Sequence, residues 1–216
     1  IAKQKKEVHD FIAKKLKSQN NVFYYNKDYK FKLINKKKFL FKFENMKNTF
    51  KIPSLPGNHQ LENASTAIAS IVILKKKNYT IKLNSLSKSI YNTKWPGRIE
   101  KLKYKNKFII LDGSHNLSGA EKLNEYLIEN KIRPNIIFGM LNNKKASKFL
   151  SILKDNIDIL YPITIPGEIN ALTNNEISNI SNKLKINSLI KNNFRSINQS
   201  IMRLPNKYIL ITGSLY

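Results

Sequence analysis

The chain reads as an α/β protein: a mainly parallel sheet with helices on both faces, preceded by a smaller unit of helices and an antiparallel meander. Three features predict this. After the breaker Trp95-Pro96-Gly97, the pattern repeats as apolar strand, loop and helix, which implies parallel strands joined by crossovers. Residues 108–111 are apolar without interruption, as in a strand buried on both faces. Before the breaker, short aromatic and β-branched runs alternate with Asn/Lys turns, the pattern of antiparallel strands.

Taken in order, residues 7–17 place Val8, Phe11, Ile12 and Leu16 at helical spacing, which predicts a short amphipathic helix. Three strand-like runs follow: Val22-Phe23-Tyr24-Tyr25, Phe39-Leu40-Phe41-Lys42-Phe43 and Thr49-Phe50-Lys51-Ile52. Pro53-Ser54-Leu55-Pro56-Gly57 is a loop by its breakers. A helix over 60–76 carries Ala64, Ala67, Ile68, Ile71 and Leu74 on one face, and a shorter one over 85–91 has Ser85 or Asn84 as its cap. The boundary falls near residues 93–97, which gives units of 1–93 and 94–216. In the second unit, strands are predicted at 108–111, 135–140, 157–163, 186–190 and 208–212. Helices are predicted from the loop after Asp112 through 127, then over 146–154, 175–184 and 197–203. Open parallel sheets bind ligands beyond the carboxyl ends of their strands. The loops 112–116, 141–145, 164–168 and 213–216 are therefore expected to share one edge.

With 41% hydrophobic residues the chain can bury a core, which excludes disorder. The absence of cysteine excludes disulfides and thiolate metal sites and fits a reducing compartment. No apolar run approaches the roughly 20 residues that a membrane helix needs, so a cytoplasmic protein without a membrane partner is expected. The opening Ile1-Ala2-Lys3-Gln4 has neither an initiator Met nor a signal-peptide pattern and reads as an entry in mid-protein. A net charge of +25 points towards nucleic acid in general. Only four of the 39 basic residues are Arg, however, and the Lys residues are scattered. A solvated Lys-rich surface with no nucleic-acid partner is the expectation, although such a field also favours an anionic substrate.

Asp112-Gly113-Ser114-His115-Asn116 is the most informative motif. An acid at the end of a buried strand can accept hydrogen bonds from a ribose diol, and Ser114 or Asn116 can cap a helix whose N-terminus favours anions. The alternative is that Asp112 and Asn116 only cap a turn and His115 packs. Arg98 follows a rigid turn in Trp95-Pro96-Gly97-Arg98-Ile99-Glu100 and offers the fork geometry that phosphate takes, unless it pairs with Glu100. Asn63 stands inside a helix, where Asn is mildly unfavourable, so it has a partner or is a surface residue. His59 and Gln60, just before it, are cap candidates. Gly213-Ser214 can cradle a carboxylate or form a plain turn. No Walker-type glycine loop and no zinc spacing occur.

Taken together, these blocks resemble the folylpolyglutamate synthase/dihydrofolate synthase family of Mur-type ligases. The matching residues are Leu55-Pro56-Gly57-Asn58-His59-Gln60-Leu61-Glu62-Asn63-Ala64, Trp95-Pro96-Gly97-Arg98-Ile99-Glu100 and Leu111-Asp112-Gly113-Ser114-His115-Asn116. Phe138-Gly139-Met140-Leu141 and Ile211-Thr212-Gly213-Ser214-Leu215-Tyr216 complete the set. The resemblance spans essentially the whole chain and implies the C-terminal half of such an enzyme. Residues 1–93 would be the incomplete remainder of the central ATPase domain, and 94–216 the Rossmann-like glutamate-ligase domain, slightly truncated.

The resemblance further implies ATP-dependent coupling of L-glutamate to a dihydropteroate or folate carboxylate through an acyl phosphate, in a monomer. It assigns Asn63, Arg98 and Asp112 to ATP, and His115 and Ser214 to orienting glutamate or the acyl phosphate. ATP and Mg²⁺ are the implied cofactors. The family's phosphate loop, metal ligands and modified lysine belong ahead of Ile1, so no metal ligand is assigned here and the chain alone is expected not to catalyse the full reaction. The family's Asp after the lysine of the Gly-Met-Leu loop is replaced, since Lys145 follows Lys144. A Mur-type ligase of cell-wall precursors is the nearest alternative, and a basic nucleic-acid-binding module the alternative from another class.

Overall fold

A computed structural model of the chain describes residues 1–82, 85–190 and 201–214. They fall into two compact units, Ile1–Lys94 and Trp95–Tyr216. No described helix is long and apolar enough to cross a membrane.

The first unit runs α1 (Lys6–Lys15), β1 (Tyr29–Asn35), β2 (Lys38–Phe43), β3 (Met46–Lys51), α2 (His59–Lys76) and α3 (Leu86–Asn92). Its strands form an antiparallel meander in that order. Successive side chains of a strand point to opposite faces. Tyr29, Phe39, Phe41, Phe43 and Phe50 share the inward face and are at most 4% exposed. They pack with Ile68, Ala69 and Val72 of α2 and with Leu86 and Ile90 of α3. Burying one such phenyl ring stabilises by roughly 1.5–3 kcal/mol. Ser85 stands at the N-cap of α3 without capping it, because its hydroxyl donates to the Lys82 carbonyl at 3.0 Å; Asn84 lies outside the described residues. Helix α1 forms as its periodicity predicts, but none of its residues is buried.

The run at 22–25 is not the first strand, which is a correction to the sequence expectation. The Tyr25 N–H donates to the Ile1 carbonyl at 3.0 Å, so that segment spends its backbone groups outside the sheet. Asp28 Oδ2 accepts the Tyr24 N–H at 2.6 Å and closes a turn, and ladder pairing begins only at Tyr29.

The second unit runs β4 (Glu100–Tyr104), β5 (Lys107–Asp112), α4 (Leu117–Glu129), β6 (Asn135–Phe138), α5 (Ala146–Leu153), β7 (Leu160–Pro162), α6 (Asn174–Lys183) and β8 (Tyr208–Thr212). The sheet order is β4-β5-β8-β6-β7. Strands β5, β8, β6 and β7 are parallel, and β4 is an antiparallel edge. One face, with Ile110, Phe138 and Leu210, is covered by Leu123 and Leu127 of α4, Phe149 and Leu150 of α5, and Ile177 of α6. The opposite face, with Ile109, Ile137 and Ile209, is covered by Ile201 and Leu204. Both faces are therefore buried, as the apolar strand at 108–111 demands.

Two departures are informative. Strand β4 was not expected, since Lys101 and Lys103 break its apolar pattern; charges of this kind are how an edge strand resists further pairing. The fourth strand expected at 186–190 does not form. Only Ser188 bridges Leu160, because Lys185 adopts φ 60° at the end of α6 and the chain meets β7 for a single residue. The expected helix over 197–203 lies largely outside the described residues.

Candidate functional site

The parallel strands end level with one another. Asp112 stands beside Thr212 across β5 and β8, Thr212 beside Phe138 across β8 and β6, and Phe138 beside Pro162 across β6 and β7. The loops after these residues leave from one edge, as the parallel topology requires; Leu215 and Tyr216 lie outside the described residues. The amino-terminal edge is closed by polar bonds. Asn135 Oδ1 accepts the Asn206 N–H at 3.0 Å, and Asp158 Oδ2 accepts both the Asn135 and Asn206 side-chain amides. Buried polar groups are normally satisfied in this way. The carboxyl edge differs: Thr212 Oγ1 and Ser214 Oγ are buried and find no hydrogen-bond partner among the described residues.

Asp112 is 3% exposed. Its Oδ1 accepts the Ser114 N–H at 3.0 Å and its Oδ2 the Ile99 N–H at 3.0 Å. The Gly113 N–H donates to the Gly97 carbonyl at 2.8 Å, and Glu100 Oε2 accepts the Gly97 N–H at 2.9 Å. These bonds stitch the turn at 95–100 to the loop at 112–114. Ile99 holds φ 49°, an outlier for a β-branched side chain, and is held there by burial and by Asp112. Arg98 projects from the middle of this fixed turn. It is exposed and makes no hydrogen bond or ion pair among the described residues. The Arg98–Glu100 pair considered from sequence is not formed, since Glu100 serves the Gly97 backbone.

His115 is exposed, and its Nδ1 lies 3.0 Å from the Gly113 carbonyl. Nδ1 must donate there, which leaves Nε2 as the acceptor of a neutral ring. Asn116, rather than Ser114, caps α4: its Oδ1 accepts the Gly119 N–H at 2.8 Å. Gly213 adopts φ 116°, and a Cβ placed there would fall 2.1 Å from the Gly139 carbonyl oxygen. The loops after β6 and β8 thus touch backbone to backbone, a contact no side chain permits. Thr212 was not singled out from sequence. Its signal was available, since a Thr at the last position of a buried strand has few neighbours able to satisfy its hydroxyl.

In the first unit, the Asn63 amide donates to Gln60 Oε1 at 3.0 Å, and Gln60 Nε2 lies 3.0 Å from His59 Nε2. Neither His59 nor Gln60 stands at the N-cap of α2; that residue is Asn58, whose side chain makes no capping bond to the helix. Asn63, Gln60 and Thr93 give polar groups to an otherwise apolar cavity of about 170 Å³ lined by Pro53, Leu55, Ala64, Ala67 and Ile90. A mostly apolar lining with a few polar groups is the make-up of small-molecule sites in general. Among the described residues, no three His, Asp or Glu side chains cluster in a way that could hold a metal ion between them.

No family model matches the chain. It is 30% identical over 171 residues to the dihydrofolate synthase/folylpolyglutamate synthase of Bacillus subtilis (strain 168), covering 76% of this chain and 38% of that protein. Its fold is similar to that of Mycobacterium tuberculosis folylpolyglutamate synthase complexed with ADP and AMPPCP, with a TM-score of 0.79 at 19% identity over 99% of this chain and 52% of that one. A bifunctional folylpolyglutamate synthase/dihydrofolate synthase with Mn, AMPPNP and L-glutamate bound gives a TM-score of 0.75 at 18% identity over 95% of this chain and 48% of that one. The chain spans about half, or less, of the length of these relatives.

Proposed function

We propose that this chain, a relative of the folylpolyglutamate synthase/dihydrofolate synthases, works as the C-terminal half of an ATP-dependent ligase that joins L-glutamate to a dihydropteroate or folate carboxylate. In that reaction the γ-phosphoryl of ATP passes to the substrate carboxylate, giving an acyl phosphate and ADP. The glutamate amine attacks the acyl carbon, loses a proton and expels phosphate. Catalysis of this kind rests on positioning and on stabilising negative charge.

The residues take roles suited to their chemistry. Arg98 offers its guanidinium to ATP phosphates. Asp112 retains lone pairs on the oxygens that brace the loop and is assigned to the ribose hydroxyls. Asn63 presents its amide at the cavity of the first unit and is assigned to ATP. His115 and Ser214 are assigned to glutamate or the acyl phosphate, with Ser214 bringing an unspent hydroxyl to a developing anion. Thr212 brings a second one. Mg²⁺ would neutralise phosphate charge when bound, and no residue of this chain is assigned to it. In this reading, the first unit is the remainder of the central ATPase domain and the second the glutamate-ligase domain of a cytoplasmic monomer. Neither a cell-wall ligase nor a nucleic-acid module finds support among the relatives described above.

The observation that carries the reading is the stitched turn, which fixes Arg98 beside the Asp112 loop at the carboxyl edge of the sheet. Its test is Arg98→Ala in the ATP-competent ligase. The KM for ATP is expected to rise about 10- to 100-fold, the loss of a charge-assisted hydrogen bond or two, and Arg98→Lys should restore little of it. An unchanged KM for ATP would remove Arg98 from the site.

A further inference from the structure

The meander of the first unit carries a surface that the ligase chemistry leaves unused. Opposite its aromatic core face, the strands present residues 30, 32 and 34 of β1, 38, 40 and 42 of β2, and 47, 49 and 51 of β3. Six of these nine positions are lysine and none is acidic. Lys30 stands opposite Lys42, Lys42 opposite Lys47, and Lys38 opposite Lys51. Like charges directly opposite one another destabilise a sheet. Glu44, the acid of the β2–β3 turn, is paired with Lys76 and neutralises none of them. So much like charge also prevents the face from being buried against apolar protein.

Two aliphatic side chains stand among these charges. Ile34 is 52% exposed, and Leu40 is half-buried beside Lys32. At the hairpin tip Lys36 and Lys37 add two more cations, while Leu33, 50% exposed, pairs with Phe39 on the other face of the sheet. The tip is held in shape because Asn35 Oδ1 accepts the Lys37 and Lys38 N–H groups at 2.8 and 3.0 Å. A groove of about 370 Å³ is lined by Lys30, Phe31, Lys32, Leu40 and Lys42.

We propose that this face docks reversibly on an anionic lipid surface. The make-up of the face selects that occupant. It has no Arg for forked phosphate contacts or protein hot spots, and the ring at the groove, Phe31, packs against the aromatic core rather than standing on this face for a nucleic-acid base to stack on. Lysine point charges around a few exposed aliphatic side chains are the composition of an interfacial surface, in which the charges hold the headgroups and the aliphatic tip enters the boundary. This departs from the sequence expectation of a chain without a membrane partner.

The test is sedimentation of the chain with vesicles of phosphatidylcholine and phosphatidylserine, with pure phosphatidylcholine as reference. Binding is expected only with the anionic lipid and should weaken as salt is raised. Changing Lys30, Lys42 and Lys47 together to Glu should lower the partition coefficient by at least about 100-fold. Changing Lys101 and Lys103 on the edge strand of the second unit together with Lys105 in the turn after it removes the same charge and should have only a small fraction of that effect. Ile34→Trp should shift its fluorescence to the blue on vesicle addition. If the triple Glu variant fails to fold, Gln at the same three positions replaces it. Equal losses from the two triples would show generic attraction of a +25 chain and overturn the proposal. So would an unmoved Ile34→Trp emission with the chain bound, or capture of an acidic polypeptide by this face while anionic vesicles are ignored.

Discussion

Gly213→Ala is expected to lower the stability of the second unit by about 3–5 kcal/mol, from left-handed backbone strain plus overpacking. The new Cβ would sit 2.1 Å from the Gly139 carbonyl oxygen and 3.0 Å from the Phe138 ring, at φ 116°. Relief requires β8 to part from β6, and these are central strands with β5 on one side and β7 on the other. A small domain has only about 5–15 kcal/mol in total, so Tm should fall by roughly 10–20 °C. Gly167→Ala provides the contrast. It also sits at positive φ, 77°, but nothing lies within 4 Å of its Cβ position, so only the backbone term of about 1 kcal/mol applies. Thermal unfolding of the two variants side by side checks the contact; equal Tm values would show that the Gly139–Gly213 approach is not tight.

Asp112→Ala should have two separable effects. It removes the acceptor of both the Ile99 and Ser114 N–H groups, and each buried donor left unpaired costs about 1–3 kcal/mol. It also frees the turn that holds Arg98, so ATP use should fall at least about 10-fold through both residues. Arg98→Ala, by contrast, removes an exposed side chain and should leave Tm unchanged while impairing ATP use. Urea unfolding together with the KM for ATP distinguishes the two. A stable Asp112→Ala enzyme with impaired ATP use would mean that Asp112 acts on the ligand alone, without bracing the loop.

The sequence made the central strands legible because burial on both faces leaves little choice of residue: 108–111, 135–138 and 208–212 are nearly all apolar. It misread segments whose state depends on distant backbone groups. The aromatic run at 22–25 has every local mark of a strand, yet Tyr25 bonds to Ile1. Residues 186–190 have the right composition but meet their neighbour at Ser188 alone. The edge strand at Glu100–Tyr104 was hidden by the lysines that protect it. Asp112, His115, Asn63, Arg98 and Ser214 stood out by residue type and position, while the bonds each makes within its own unit did not. That Asp112 spends both oxygens on backbone, that Glu100 serves Gly97 rather than Arg98, and that Gly139 meets Gly213 are tertiary facts. Thr212 emerged only once its hydroxyl was seen to lack a partner.

The most direct measurement is ADP release by the chain supplied with the phosphate-loop half of a related ligase, with dihydropteroate and L-glutamate each withheld in turn. One ADP should appear for each glutamate joined, and almost none when either substrate is missing. ADP release indifferent to glutamate, or glutamate joined without ATP, would contradict the assignment of this chain to a folate ligase.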